Sequence, residues 1–500
     1  MMTTSPPDGL ICPAEAIFDH EDVAVAIAEK IANATSERDI RAATVTVLSA
    51  ARKQGMAAIA TAFCAQPFAS RPTTRAYSWL TDQIVHVVLQ TATQHLHPLP
   101  NPTQGERLSL IAVGGYGRGE MAPQSDVDLL FLTPHKITPW AESVIESMLY
   151  MLWDLKLKVG HASRTVKDCV RLAREDYTIR TSLVEYRHLA GDAKLAKELG
   201  KRLWEELFKS TASDFIEAKL AERAERHRKQ GGQRYVVEPN VKEGKGGLRD
   251  LQSLFWISKY VNGVKDAAEL VNLKVFTAEE FETFVTAEDF LWAVRCHLHL
   301  ISGRAMDQLT FDLQVEVAKI DMINAVALPG GNVILFDGLV KQARSPDEVA
   351  GVLAHEIGHV REKHVMQALL RQMGLAVVLG GIDGNSGALV NNMLSMSYSR
   401  DSEAEADAHS MKALGGANIS PIGTASFFDR LSELDGSASS STSDNGIAGY
   451  MSSHPLSRSR KDAFEKSIVK GKNYKPALTP TEWTELKTMC TQDRKAKSGF

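Results

Sequence analysis

Residues 345–365 read SPDEVAGVLAHEIGHVREKHV, and the rest of the chain can be sorted around them. Ser345 and Pro346 stand at a plausible helix start, with Glu348 three residues after Ser345 in the manner of a capping box. Inside the helix, His355-Glu356-Ile357-Gly358-His359 has the HExxH spacing. Residues i and i+4 share a helix face, so both imidazoles can reach one metal ion, while Glu356 sits beside them to handle a proton. Val352, Leu353, Ile357 and Val360 make the surroundings apolar, which suits a buried site. The plain alternative is two histidines and a glutamate on a wet helix face. A catalytic zinc takes three protein ligands and keeps one position open. The third ligand has to come from elsewhere, and residues 399–407, SRDSEAEAD, are the place to look.

Upstream, residues 323–339 (INAVALPGGNVILFDGL) predict two strands joined by a Pro-Gly-Gly turn. Four motifs in order, NAVALPGG, LAHEIGHV, SRDSEAEAD and SHPLSRSR, resemble the HtpX-like family of zinc metallopeptidases from about residue 317 onward. The resemblance implies a mainly helical, gluzincin-type domain with Zn2+ on His355, His359 and Glu403, and with Glu356 as the catalytic base. It places Asp407 where an acid orients a ligand histidine, His454 where a histidine assists the oxyanion, and Arg460 on the arginine that follows. Read alone, Asp407 is equally a surface helix charge and His454 a loop histidine. His364 and His409 receive no metal role; His364 lies about 140° round a helix from His359.

A second site is written near the front. Residues 108–113 (LSLIAV) and 127–132 (VDLLFL) predict strands, and between them stand Gly114-Gly115-Tyr116-Gly117-Arg118-Gly119-Glu120 and Ser125-Asp126-Val127-Asp128. On a strand, residues i and i+2 face the same side. Asp126 and Asp128 are therefore placed to hold Mg2+ against a triphosphate, while the turn at Gly114 and Gly115 brings backbone N–H groups to the phosphates. Helical spacing covers about residues 21–95, 140–155 and 168–301, with one irregular stretch at 238–250 (EPNVKEGKGGLRD). The mixed charges of residues 217–229 read as a solvated helix face.

VGGYGRGEMAPQSDVDLLFL, EPNVKEGKGGLRDLQSLFWISKY and HLHLISGRAMDQLTFDLQVEVAK together resemble the amino-terminal half of the PII uridylyltransferase/uridylyl-removing enzyme, over roughly residues 20–318. The resemblance implies a β-polymerase-like nucleotidyltransferase with helical flanks that moves UMP from UTP to a PII-type nitrogen-regulatory protein. Its third metal-binding carboxylate has no assigned position here, and Glu185 is not chosen for it. After Lys319 that family continues into a His-Asp phosphohydrolase domain and two sensing domains; here the peptidase motifs stand instead, so uridylyl removal and glutamine sensing have no visible site. Around residues 314–319 both resemblances claim the same residues, without a Pro/Gly/Ser spacer. A natural fusion, a deliberate chimera and two joined genes all give such a seam.

The expected chain is thus multidomain α/β plus α+β: a helical region 1–100, a nucleotidyltransferase domain 101–195, a helical domain 196–316, a zinc metallopeptidase domain 317–475, and a helix and tail 476–500. Its expected partners are a polypeptide substrate, UTP and a PII-type protein. A net charge of -4 over 500 residues argues against nucleic acid. Five scattered cysteines without a CxxC pair, and no secretory leader in residues 1–13, point to a reducing, cytoplasmic setting. The longest apolar run, residues 373–382, is half a bilayer span; it leaves membrane contact open without indicating it. Residues 436–446 read as a flexible loop. The alternative to two working heads is an active peptidase behind a front half that only binds a PII-like partner or serves as structure.

Overall fold

A computed structural model describes residues 6–101, 103–230, 238–264, 268–318, 325–328, 332–362, 387–437 and 458–492. The chain divides into two compact units, the first made of residues 1–222, 255–265 and 302–305, the second of residues 223–254, 266–301 and 306–500.

The first unit opens with the helices His20–Ala32, Glu37–Ala65 and Ser70–Thr91. Asp19 and Ser36 cap the first two by accepting backbone N–H bonds from Glu21 and Asp22 and from Asp39, which satisfies donors the helix itself leaves open. Against the third lies a four-stranded sheet of β1 (Ser109–Ala112), β2 (Val127–Thr133), β3 (Val159–Thr165) and β4 (Arg187–Gly191), in the order β3-β2-β1-β4. β1 is antiparallel to β2 and β4, and β2 is parallel to β3. Arg187 clamps β4 to the helix Ser70–Thr91 through a two-armed pair with Asp82 at 2.8 and 3.1 Å.

Three sequence expectations need correction here. β4 falls inside the stretch expected to be helical, and β3 was not foreseen. Both are edge strands, and VGHASRT and RHLAG carry little of the apolar alternation that marks a half-buried strand. The charged face of residues 217–229 is not wholly solvated. Lys219 is buried, and Arg223, Arg226 and His227 all converge on the buried Asp250, with His227 at 2.9 Å.

In the second unit β5 (Ala325–Leu328) and β6 (Asn332–Leu335) pair antiparallel, beside the helix Pro346–Arg361, here the motif helix; the Pro-Gly-Gly turn expected between them lies outside the described residues. Two glycines bring other helices against it. A Cβ on Gly351 would fall 1.7 Å from Thr424 Oγ1 on the helix Ile422–Ser437, and one on Gly358 would fall 2.9 Å from Ala406 Cα on the helix Gly387–Ala417. Ala325, Leu339, Val352, Phe427 and Phe464 fill the core between them. Ser345 does begin the motif helix, but the capping box does not form. Ser345 makes no side-chain cap bond; Glu348 instead accepts from Arg344 N–H at 2.9 Å and pairs with Arg430 at 2.6 Å. Among the described residues no helix is long and apolar enough to cross a membrane; the apolar run 373–382 and residues 438–446 of the expected loop lie outside them.

The glycine turn after β1 sets the tightest contact in the first unit. A Cβ on Gly117 would stand 1.7 Å from the Glu185 carbonyl and 2.9 Å from that of Ala112. Backbone carbonyls do not rotate away as side chains do. Gly117→Ala should therefore lower the unfolding free energy by about 1–3 kcal/mol, as overpacked sites do, in urea denaturation. An unchanged midpoint would show that the turn relaxes freely.

Candidate metal centre and nucleotidyl site

Among the described residues one group of three metal-binding side chains converges: His355, His359 and Glu403. The motif helix supplies both imidazoles, whose Nε2 atoms are 3.0 Å apart. The helix Gly387–Ala417 supplies Glu403, with Oε1 3.2 Å from His359 Nε2 and Oε2 3.4 Å from His355 Nε2. The three ligand atoms lie within 4.8 Å of one another, close enough for one zinc ion to draw them to its ligand distances of about 2.0–2.1 Å. His355 is fully buried, while the Glu403 side chain keeps 15% of its surface, so the cluster opens to solvent on the Glu403 side. Glu356, next to the first histidine, is also buried.

Asp407 sits one turn beyond Glu403, on the same helix face. Its Oδ1 lies 2.9 Å from His355 Nδ1, leaving Nε2 to point at Glu403. Arg460, from the helix Arg458–Lys466, donates to both Asp407 oxygens at 2.7 and 2.8 Å and reaches Glu403 Oε2 at 2.9 Å. Burial works against the charge of Asp407, but bonds from His355 and Arg460 win and hold its carboxyl below the usual range. His409 Nδ1 turns to the Ala354 carbonyl at 3.3 Å, away from the cluster. Leu353 and Ile357, expected to make the surroundings apolar, are exposed on the other side of the motif helix; Val352 is the buried one. His454 and His364 lie outside the described residues.

The front site is less complete. Gly114–Gly117 forms one helical turn after β1, entered through Gly114 at φ +60°, a left-handed conformation that glycine adopts without strain. The N–H groups of Gly117, Arg118, Gly119 and Glu120 close this turn on its own carbonyls. Asp128 lies on β2, half-buried, and Asp126 precedes the strand and is exposed. Asp128 extends between Gly114 and Gly160; a Cβ on Gly160 would stand 2.4 Å from Asp128 Oδ1. Among the described residues no third imidazole or carboxylate joins the two aspartates. Glu185 is committed elsewhere, buried and paired with Arg118 at 2.8 Å and Lys259 at 3.3 Å. A lone glycine in the β3 stretch was the one sequence hint of a close approach at Gly160.

Comparison with known proteins follows this division. Residues 11–153 match the family described as Glutamate-ammonia ligase adenylyltransferase, residues 214–323 match GlnD PII-uridylyltransferase, and residues 297–468 match Peptidase family M48. The bifunctional uridylyltransferase/uridylyl-removing enzyme of Ruegeria pomeroyi is 54% identical over 374 residues, 73% of this chain and 41% of the relative. That of Cereibacter sphaeroides is 60% identical over 312 residues, 62% of this chain and 34% of the relative. The chain spans less than half the length of these relatives. Its front resembles uridylyltransferases of this kind, its carboxy-terminal part resembles the zinc peptidases of family M48, and both matches claim residues 297–323.

Protonation of the metal cluster gives a direct test. Burial disfavours a charged His355, but hydrogen bonds to Asp407 and Glu403 and the nearby Glu356 outweigh it, raising its pKa from 6.5 to about 9. In metal-free protein this proton stabilises the fold below about pH 6.5, and that stabilisation is lost as pH rises through about 9. A metal has to displace the same proton. Zinc added at pH 7.5 should release about one proton per ion in weakly buffered indicator solution, and the release should fade above about pH 9. Zinc uptake with no proton release would contradict the charge assigned to His355.

Proposed function

We propose that the chain is two-headed: a zinc-dependent endopeptidase in the second unit and a nucleotidyltransferase moving UMP from UTP to a PII-type protein in the first. The convergence of His355, His359 and Glu403 from two helices carries the peptidase reading. Zinc held there by His355, His359 and Glu403 would supply Lewis-acid chemistry. Glu356 is the residue placed to hold the proton of the attacking water and to pass it to the leaving amine. Asp407 fixes the tautomer and tilt of His355, and Arg460 holds Asp407 and Glu403 together. His454 is proposed, on the resemblance alone, as the donor to the tetrahedral oxygen.

In the front half Asp126 and Asp128 are proposed to hold magnesium, and the N–H groups of Gly114 and Gly115 to meet the phosphates. The likeness to uridylyltransferases supports UTP and PII as substrates. A cytoplasmic setting fits the free cysteines Cys12, Cys64, Cys169 and Cys296. A second reading keeps only the peptidase active and makes the front half a PII-binding or structural module. The commitment of Glu185 to Arg118 and Lys259 favours it, because no third carboxylate joins the aspartates among the described residues. Labelling of PII by UTP and magnesium separates the two; PII that binds without being labelled fits the second.

Glu403→Ala should lose most of the bound zinc, read by metal analysis of purified protein, whereas Glu356→Gln should keep it. Glu356→Gln should still lower casein hydrolysis by at least about 100-fold, because glutamine cannot accept the proton. Substantial cleavage by that variant would remove Glu356 from its role, and full zinc content in Glu403→Ala would unseat the third ligand.

Asp126→Asn with Asp128→Asn should abolish UTP-dependent labelling and leave casein hydrolysis at the parent rate, since the two sites belong to different compact units. Labelling that survives the double change would place the nucleotide chemistry elsewhere.

A further inference from the structure

We propose that the first unit holds a separate binding site for a small phosphate-type polyanion, the size of inorganic pyrophosphate, in the cavity behind β2. The cavity encloses about 170 Å³. Four cations line it, Arg52, Lys156, Lys158 and Arg304, and no aspartate or glutamate does. They come from three places in the fold: the helix Glu37–Ala65, the turn between the helix Pro139–Asp154 and β3, and the turn at residues 303–305. Thr81 and Ser125 add hydroxyls.

The charge balance is the argument. Arg118 and Arg187, also in this unit, each rest on a carboxylate, Glu185 and Asp82, at 2.8 Å. Among the described residues none of the four cavity cations has an ion pair. Arg52 is half-buried, and burial alone lowers its pKa, with no acid to offset the loss of water. A desolvated cation without a counter-charge is costly, and an incoming anion relieves that cost. The half-buried Arg52 together with the exposed Lys156, Lys158 and Arg304 at the rim favours a multivalent anion over a monovalent one.

Size and position narrow the occupant further. A cavity of roughly 150 Å³ takes a benzene molecule, so this one has room for a phosphate or pyrophosphate. Val127 lines the cavity, and along β2 it alternates with Asp128, whose carboxylate faces Gly114 and Gly160. The strand therefore separates the cavity from Asp128, and binding there needs neither magnesium nor a working transferase. Lys156 holds a left-handed backbone, φ 60°, in the turn that carries both lysines to the rim.

The test is equilibrium dialysis of the full chain with labelled pyrophosphate at fixed ionic strength, without divalent cations. One saturable site is expected in the parent and equally in Asp126→Asn/Asp128→Asn, which also keeps this result distinct from the transferase reading. Arg52→Gln should bind at least about 10-fold more weakly, the loss expected for one desolvated charge contact. Lys158→Gln/Arg304→Gln changes exposed residues only and keeps the test decisive if Arg52→Gln fails to fold; it should weaken binding to a similar degree. Lys53→Gln, an exposed neighbour outside the cavity, should not. Displacement by UTP would identify the ligand as the phosphate end of a nucleotide, and displacement by orthophosphate alone would identify it as free phosphate. The absence of saturable binding, or parent-like affinity in the Lys158/Arg304 variant, would overturn the proposal.

Discussion

Two helix backbones touch where Gly358 meets Ala406, and the geometry of the metal cluster depends on that contact. The imidazoles and Glu403 stand on different helices, and their ligand atoms lie within 4.8 Å of one another only because no Cβ separates the chains at this crossing. Once the helices touch, Asp407 falls opposite His355 and Glu403 opposite both rings, one turn apart on one face. Arg460 then arrives from a third helix and bridges both acids. They thus sit in a single hydrogen-bonded group that also holds His355, the condition under which burying them is tolerable.

Much of this was legible in the sequence, and the failures have physical causes. The motif helix and the β5–β6 hairpin show themselves because periodicity and turn residues are local signals. The pairing of Arg460 with Asp407 spans 53 residues, and nothing in the local pattern of either segment announces it. Glu348 stood where a capping box would want it, yet Arg430, 82 residues on, is the stronger partner because it offers charge and two bonds. β3 and β4 were hidden because a sheet edge requires less apolar alternation than its centre. Charge runs misled in the same way: residues 217–229 look solvated until Asp250 gathers Arg223, Arg226 and His227.

The first unit handles charge in two ways. Buried acids and bases close on one another in Arg118–Glu185–Lys259 and Arg187–Asp82, which fixes β4 and the glycine turn to the helices around them. Asp128 on one side of β2, and the cations of the basic cavity on the other, belong to neither of these closed sets. That contrast separates groups that hold the fold from groups presented to a ligand. It also accounts for Glu185, which the sequence reading did not choose for metal binding and which the packing assigns to structure.

Gly160 gives the front site an unusual vulnerability. It belongs to the neighbouring strand and carries no chemistry of its own, yet the space beside Asp128 exists only because position 160 has no side chain. A single methyl group there would act as a wedge, pushing the carboxylate aside while every acidic residue stayed in place. The geometry around Asp128 can thus be undone by shape alone, from a position that an inventory of charged residues would pass over, with the metal cluster in the other unit untouched.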